Sequence, residues 1–271
     1  MSLRFFELGT DGYICIPRGG STELLVNDGY EGMRLVDAAT VEEVGRVLFP
    51  EDVQPYPVHR WFMAPDGTWA LVFSHEHDVA LRLDLTTRSA TKVAVPMSMG
   101  TPGAVCWFEP HFQLMTEDGL VWGERDGRFV LEPLSPSFER WLENASSSRA
   151  FTTCGYFKSD PAAGLLYLLA RDPDRLGVVT TRSTEPELRL GPPSDGVVDF
   201  AWQAGRWVIG YHDRIEVIDD DGKRRNMLEL ATNERLGRLN VITHGGARLL
   251  VGLISLASND LDRLLVTELP P

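Results

Sequence analysis

The stretch SHEHD, residues 74–78, sets His75 and His77 one residue apart with Glu76 and Asp78 beside them. Side chains two positions apart in an extended segment fall on the same side, so both imidazoles face one way. Imidazole nitrogen is a common zinc ligand, and two at this spacing could share an ion. The count is nevertheless short, because a structural zinc takes four protein ligands and a catalytic one takes three plus water. The next histidine with a neighbouring acid, His212 in YHDR, lies far along the chain. A polar loop that contacts a partner is the better reading of SHEHD.

Other candidate chemistry fails on spacing. The hydrolase pattern that begins His-x-His continues to an Asp–His pair, whereas Asp78 is followed by Val79 and Ala80. His59, His111 and His244 have no serine or cysteine partner at readable spacing. Cys15, Cys106 and Cys154 each sit in a short apolar run (YICIP, AVCWF, TTCGYF) and read as small core residues. HGGAR and PRGGS lack the lysine and helix of a phosphate-binding loop. DDDG, 219–222, starts like a calcium loop but lacks the downstream glutamate in register. No cofactor or metal is expected.

The elements that position these residues are strands. The chain has 271 residues, enough for a large all-β domain, and a formal net charge of −13. That charge disfavours nucleic acid, whose phosphates would be repelled, and suits a basic protein or a cation. The N-terminal MSLRFFELGTDG has no apolar signal core, and the longest apolar run, LLVGLISLA, is too short to span a bilayer. Three scattered cysteines form no disulfide framework. A soluble cytoplasmic setting, away from membranes, is the expectation.

Alternating apolar runs broken by glycine turns recur along the chain. Residues 58–96 read as four strands, HRWFMA, TWALVF, VALRLDL and ATKVAV, joined by PDG, SHEHD and TTRS. Comparable units fall at 12–49, 104–134, 151–190 and 197–228, and a last one at 238–269 holds only three strands. Their first strands end near Cys15, Trp61, Trp107, Tyr156, Trp202 and Thr243, a repeat of roughly 46 residues. A four-strand period of this length is what a propeller blade requires, since one four-stranded sheet cannot bury both faces alone. The spare N-terminal strand SLRFFEL supplies what the last unit lacks and would close the ring. Trp61, Trp107 and Trp202 hold the repeat position and pack between units, and Trp69 and Trp207 join the core.

The turn APDGTWALV and the strand-turn LRLDLTTRS carry a resemblance to WD-repeat-like β-propellers, at the level of pattern, over nearly the whole length. The Gly-His and Trp-Asp dipeptides of the usual repeat are absent. Strand counting gives six four-stranded blades in a single domain over residues 1–271, or seven if the long units hide an extra half-blade. SPSFERWLENASSS, 135–148, reads as a short inserted helix carrying Trp141. TVEEVGRVLF has Thr40 and Glu43 at capping-box spacing and is open to a helical reading, and ELATNERLGRL is equally ambiguous.

In such a propeller the turns between second and third strands share a face with the connections between blades. Those turns are NDGYEG, SHEHD, TEDG, RDPDRL, YHDR and SLASNDLD, and every one carries acid. The candidate partner-binding residues are therefore Asp28, Glu31, His75, Glu76, His77, Asp78, Glu117, Asp118, Asp172, Asp174, His212, Asp213, Asp260 and Asp262. The opposite turns carry Arg18, Arg88, Arg125, Arg128 and Lys223. An acidic loop face that holds a protein partner, possessing a basic segment and no catalytic role, is the expected function. The alternative class is a metal-dependent hydrolase, similar to the gluconolactonase-type propellers, with Asn27, Asn259 and loop acids as calcium ligands. A structural subunit that uses its blade sides is the third.

Overall fold

A computed structural model describes residues 2–10, 12–64, 66–100, 102–108, 111–116, 121–126, 128–133, 157–160, 163–171, 174–180, 187–203, 205–219, 221–256 and 262–269. Among them the regular elements are strands, apart from one short 3-10 turn at Glu51–Val53. β1 (Arg4–Glu7) comes first, followed by a meander of β2 (Cys15–Pro17), β3 (Glu23–Asp28), β4 (Gly32–Asp37) and β5 (Glu42–Leu48). The second meander is β6 (Arg60–Met63), β7 (Trp69–Phe73), β8 (Val79–Asp84) and β9 (Ser89–Ala94). The third is β10 (Pro102–Phe108), β11 (His111–Thr116), β12 (Val121–Arg125) and β13 (Arg128–Leu131). Then come β14 (Phe157–Asp160), β15 (Leu165–Arg171), β16 (Asp174–Thr180) and β17 (Leu188–Pro193). A fifth meander is β18 (Val197–Gln203), β19 (Arg206–Tyr211), β20 (Arg214–Asp219) and β21 (Arg224–Glu229). The chain ends on β22 (Glu234–His244), β23 (Ala247–Leu256) and β24 (Asp262–Glu268).

Strand burial follows position in the meander. β3 reads ELLVND and β19 reads RWVIGY, each buried across its middle, because a second strand has packed neighbours on both faces. The outer strand β21, RRNMLE, is exposed over its first half and polar there. In the turn between β6 and β7, Asp66 accepts from Thr68 N–H, and Gly67 takes φ 66, a conformation that glycine adopts without a Cβ clash.

The six separate blades expected from the repeat are not matched, and neither are seven. The described strands form five sheets, four of four strands and one of eight. The difference has a local cause: β13 runs parallel to β9 and meets it at one register pair, Arg128 with Ala94, which joins the second and third meanders into one sheet. The last three strands do take β1 as their fourth, with Arg4 opposite Val266 and Glu7 opposite Arg263. The helical reading of 40–49 is corrected, since Glu42–Leu48 is a strand paired with β4 and Val41 turns tightly at φ 62. ELATNERLGRL resolves into the end of β21, a turn and the start of β22. The helix expected at 135–148 lies outside the described residues.

The chain divides into two compact units. Unit one comprises Met1–Tyr56, Leu85–Ser89 and Gly196–Pro271; unit two comprises Pro57–Asp84 and Ala90–Asp195. In unit one, Leu24, Val26 and Val36 of the first sheet bury against Val251, Leu264 and Val266 of the last. Val208, Ile215 and Val217 of the fifth meander bury with Leu239, Leu250 and Leu265. In unit two, Phe62, Leu71 and Phe73 pack with Trp122 and Phe129. There Arg82 lies 4.4 Å above the Trp69 ring and pairs with Glu124 at 2.7 Å, tying the second meander to the third. No helix among the described residues is long and apolar enough to cross a membrane.

Gly12 marks a tight passage in unit one. Its backbone N–H donates to Asp262 Oδ2 at 2.6 Å, and a Cβ there would press on Leu8 while lying 2.9 Å from Leu253 Cδ1 and 3.1 Å from Asp262 Cβ. Gly12→Ala is expected to lower stability by about 1–3 kcal/mol through overpacking. Equilibrium urea unfolding checks this, with a lowered midpoint at unchanged slope as the expected result.

Candidate functional site

The acidic turns do not share one environment. In unit one, Asp28 ends β3 and is mostly covered, with 13% of its side chain exposed. Its carboxylate accepts from Arg34 Nε at 2.8 Å and from Arg46 Nη1 at 3.0 Å. The hydrogen bond that Arg46 donates to Glu43, then the charge of Asp28, hold its guanidinium above its ordinary range. Asp28 is thus neutralised within its own sheet. Glu31, three residues on, is exposed, and its carboxylate has no partner among the described residues.

His212 and Asp213 form the equivalent turn of the fifth meander, and both are exposed. Their carbonyls accept from Leu236 N–H and Leu230 N–H, which fixes the turn. Asp213 pairs with Arg214 at 3.0 Å, yet its side chain stays 74% exposed. Arg214 also donates to Glu216 at 2.8 Å and lies 4.1 Å above the Tyr211 ring. Asp262 departs from the expectation of a surface acid: it is buried, and its carboxylate accepts from Gly12 N–H. It opens β24 rather than standing in the turn, and so it joins the core.

In unit two, SHEHD is the turn between β7 and β8, as the spacing predicts. Ser74 Oγ accepts from Glu76 N–H at 3.1 Å, and the Asp78 carbonyl accepts from Val95 N–H at 3.0 Å. His75, Glu76 and Asp78 are exposed and His77 is half-buried. Neither the Glu76 nor the Asp78 carboxylate has a partner among the described residues. The His75 ring stacks on His59, with centroids 4.5 Å apart at 31°. No spacing in the chain assigns His59 a role; its placement follows from the bond between His59 N–H and the Phe73 carbonyl, which carries β6 alongside the turn. Among the described residues, no three of His, Cys, Asp and Glu gather to hold a metal ion. Asp174 opens β16, while Glu117, Asp118, Asp172 and Asp260 lie outside the described residues.

Buried polar groups near the inner strands of unit one serve the backbone. The Asn27 side-chain oxygen accepts from Tyr13 N–H at 2.9 Å and Ile14 N–H at 3.0 Å, so this residue, considered above as a calcium ligand, is engaged in holding the chain entering β2. Asn259, the other asparagine considered, lies outside the described residues. Asn240 of β22 donates to the Cys15 carbonyl at 2.9 Å. Asp199 of β18 accepts from Phe200 N–H at 2.7 Å and from Leu239 N–H at 2.8 Å. Cys15 itself is a buried free thiol, as its apolar run implied.

No family model matches the chain, and no curated protein matches it. Among solved structures, it is similar to the β-propeller domain of Cps50 (Swd1) from Myceliophteria thermophila, at 13% identity and a TM-score of 0.50, over 92% of this chain and 80% of that one. At that identity the likeness concerns fold alone. Together with the successive four-stranded meanders and the N-terminal strand added to the last of them, it shows that the chain has a β-propeller fold.

Proposed function

We propose that the chain is a non-enzymatic protein-interaction module that recruits a partner with a basic segment through its acidic turns. The observation that carries this reading is the SHEHD turn. Glu76 and Asp78 stand exposed, without a cation partner among the described residues, on a backbone pinned at both ends, and rigid exposed charge favours steering and orienting an oppositely charged surface. Glu31 and the exposed Asp213 add to it, and the net charge of −13 favours the same sign of partner. Propeller scaffolds commonly place function in their loops.

The test is affinity capture with the chain as bait, repeated with the triple variant Glu76→Lys, Asp78→Lys, Asp213→Lys. Recovery of the captured protein is expected to fall about tenfold, roughly 1.4 kcal/mol. Raising salt from about 50 mM to about 500 mM should release it from the unaltered chain, because screening shortens the reach of exposed charges. Recovery that is indifferent to both would remove the electrostatic reading.

A further inference from the structure

One corner of unit one sets exposed apolar side chains among acids. Tyr30 is 49% exposed at the tip of the β3–β4 turn, and Leu48 is 62% exposed at the end of β5. The two belong to one rigid piece of backbone. Gly32 is the register partner of Leu48, Phe49 N–H donates to the Glu31 carbonyl at 2.8 Å, and Tyr56 N–H donates to the Tyr30 carbonyl at 3.0 Å. Beneath them the buried Phe49 and Tyr56 rings meet edge to face at 5.5 Å. The Tyr30 ring leans on Tyr13 with centroids 6.1 Å apart. A tyrosine held out on such a support loses little freedom on binding, as interface anchors do, and the leucine beside it widens the apolar contact.

The charge around them has one sign to offer. Glu31 and Glu51 are exposed at this corner, while the nearby guanidinium groups, Arg34 and Arg46, are engaged by Asp28 and Glu43. Phe5, also exposed in unit one, differs: Arg263, itself paired with Glu234, lies 4.1 Å above its ring and covers that face. A second copy of this chain is disfavoured as occupant, since a two-fold contact would set these acids against themselves. An anionic lipid surface meets the same repulsion.

We propose that this corner docks a protein segment presenting apolar side chains between Lys or Arg residues, with Tyr30 and Leu48 taking the apolar part and Glu31 and Glu51 the cations. The proposal rests on the reading that charge recruits a basic partner, and adds where the apolar contact is made. Fluorescein-labelled synthetic peptides test it by anisotropy against the full chain. One carries a Lys-Lys-Leu-Leu-Lys-Lys block between Gly-Ser spacers; a second has Ser for Leu, and a third has Glu for Lys.

The first peptide is expected to bind about tenfold more tightly than the second, and the third not to bind. Tyr30→Ser with Leu48→Ser should abolish that tenfold preference while leaving the circular dichroism and unfolding midpoint in place. Glu31→Lys with Glu51→Lys should weaken both basic peptides. Equal binding of the first two peptides overturns the proposal, as does a preference that survives Tyr30→Ser with Leu48→Ser. A sedimenting dimer of the unaltered chain that this double variant dissolves also overturns it, in favour of a second copy. If the Lys-Ser peptide binds and loses affinity only with Glu76→Lys and Asp78→Lys, the recruiting role of charge stands and this docking site falls.

Discussion

Replacing Asp199 with alanine should lower the unfolding free energy by about 3 kcal/mol, and asparagine at the same position by about 1 kcal/mol. Asp199 is 1% exposed on β18, and one carboxylate oxygen accepts from Leu239 N–H of β22, a strand of a different sheet, at 2.8 Å. The other oxygen accepts from Phe200 N–H at 2.7 Å. Desolvating a carboxylate is costly, and charge-assisted bonds of this kind are what offset it. Alanine removes the acceptor from two buried donors and leaves a void beside Leu236 and Leu239, which are themselves fully covered. Asparagine keeps one carbonyl oxygen for Leu239 but loses the charge, hence the smaller effect. For a chain of this size, 3 kcal/mol corresponds to a melting-temperature drop of roughly 6–12 °C. Urea unfolding gives the free energies, and an alanine variant within about 0.5 kcal/mol of the parent would show that the link between β18 and β22 is incidental.

Strand content was legible because the meander imposes a different burial on each strand. WALVF, and RWVIGY after its leading arginine, run apolar where a second strand is covered on both faces, and SATKVA is mostly exposed where the outer strand meets water. The N-terminal strand was legible by bookkeeping of strands, since the last unit had three and SLRFFEL was left over. Joining of the second and third meanders was not, because it depends on one parallel pair, Arg128 with Ala94, that no local pattern encodes. Thr40 and Glu43 offered a local helix signal that pairing with β4 overrode. Among site residues, turn composition located SHEHD and YHDR, whereas the fate of each acid depended on cross-strand neighbours. Asp28 meets Arg46 from two strands away, and Asp262 turns inward on Gly12, some 250 positions earlier. Tyr30 and Leu48 carry no such signal, because a lone exposed apolar residue means nothing until the fold brings a second one to the same corner.

Deleting residues 1–8 should be more damaging than any single substitution, lowering stability by about 5 kcal/mol, a large share of what a domain of this kind has. The segment contributes four register pairs along β24, from Arg4 with Val266 to Glu7 with Arg263. Leu8, 1% exposed, donates its N–H to the Asp262 carbonyl at 3.0 Å and packs with Leu24, Leu253 and Leu264. Arg4 also donates to the Ala39 carbonyl in the turn after β4, so this strand links the last sheet to the first within unit one. Its loss exposes an edge, and β24 carries Leu264, Leu265 and Val266 side by side. An unpaired apolar edge of that kind templates association with other chains. The truncated protein is therefore expected to elute as soluble aggregate in size exclusion and to bind a hydrophobic dye. A synthetic Ser-Leu-Arg-Phe-Phe-Glu-Leu peptide, added in excess during refolding, should restore a share of monomer by occupying the vacated edge. The same peptide with Glu in place of the residue matching Phe6, which packs against the core, should not. If the truncated chain stays monomeric with an unchanged unfolding midpoint, β1 is an ornament on β24, and the last sheet is complete with three strands.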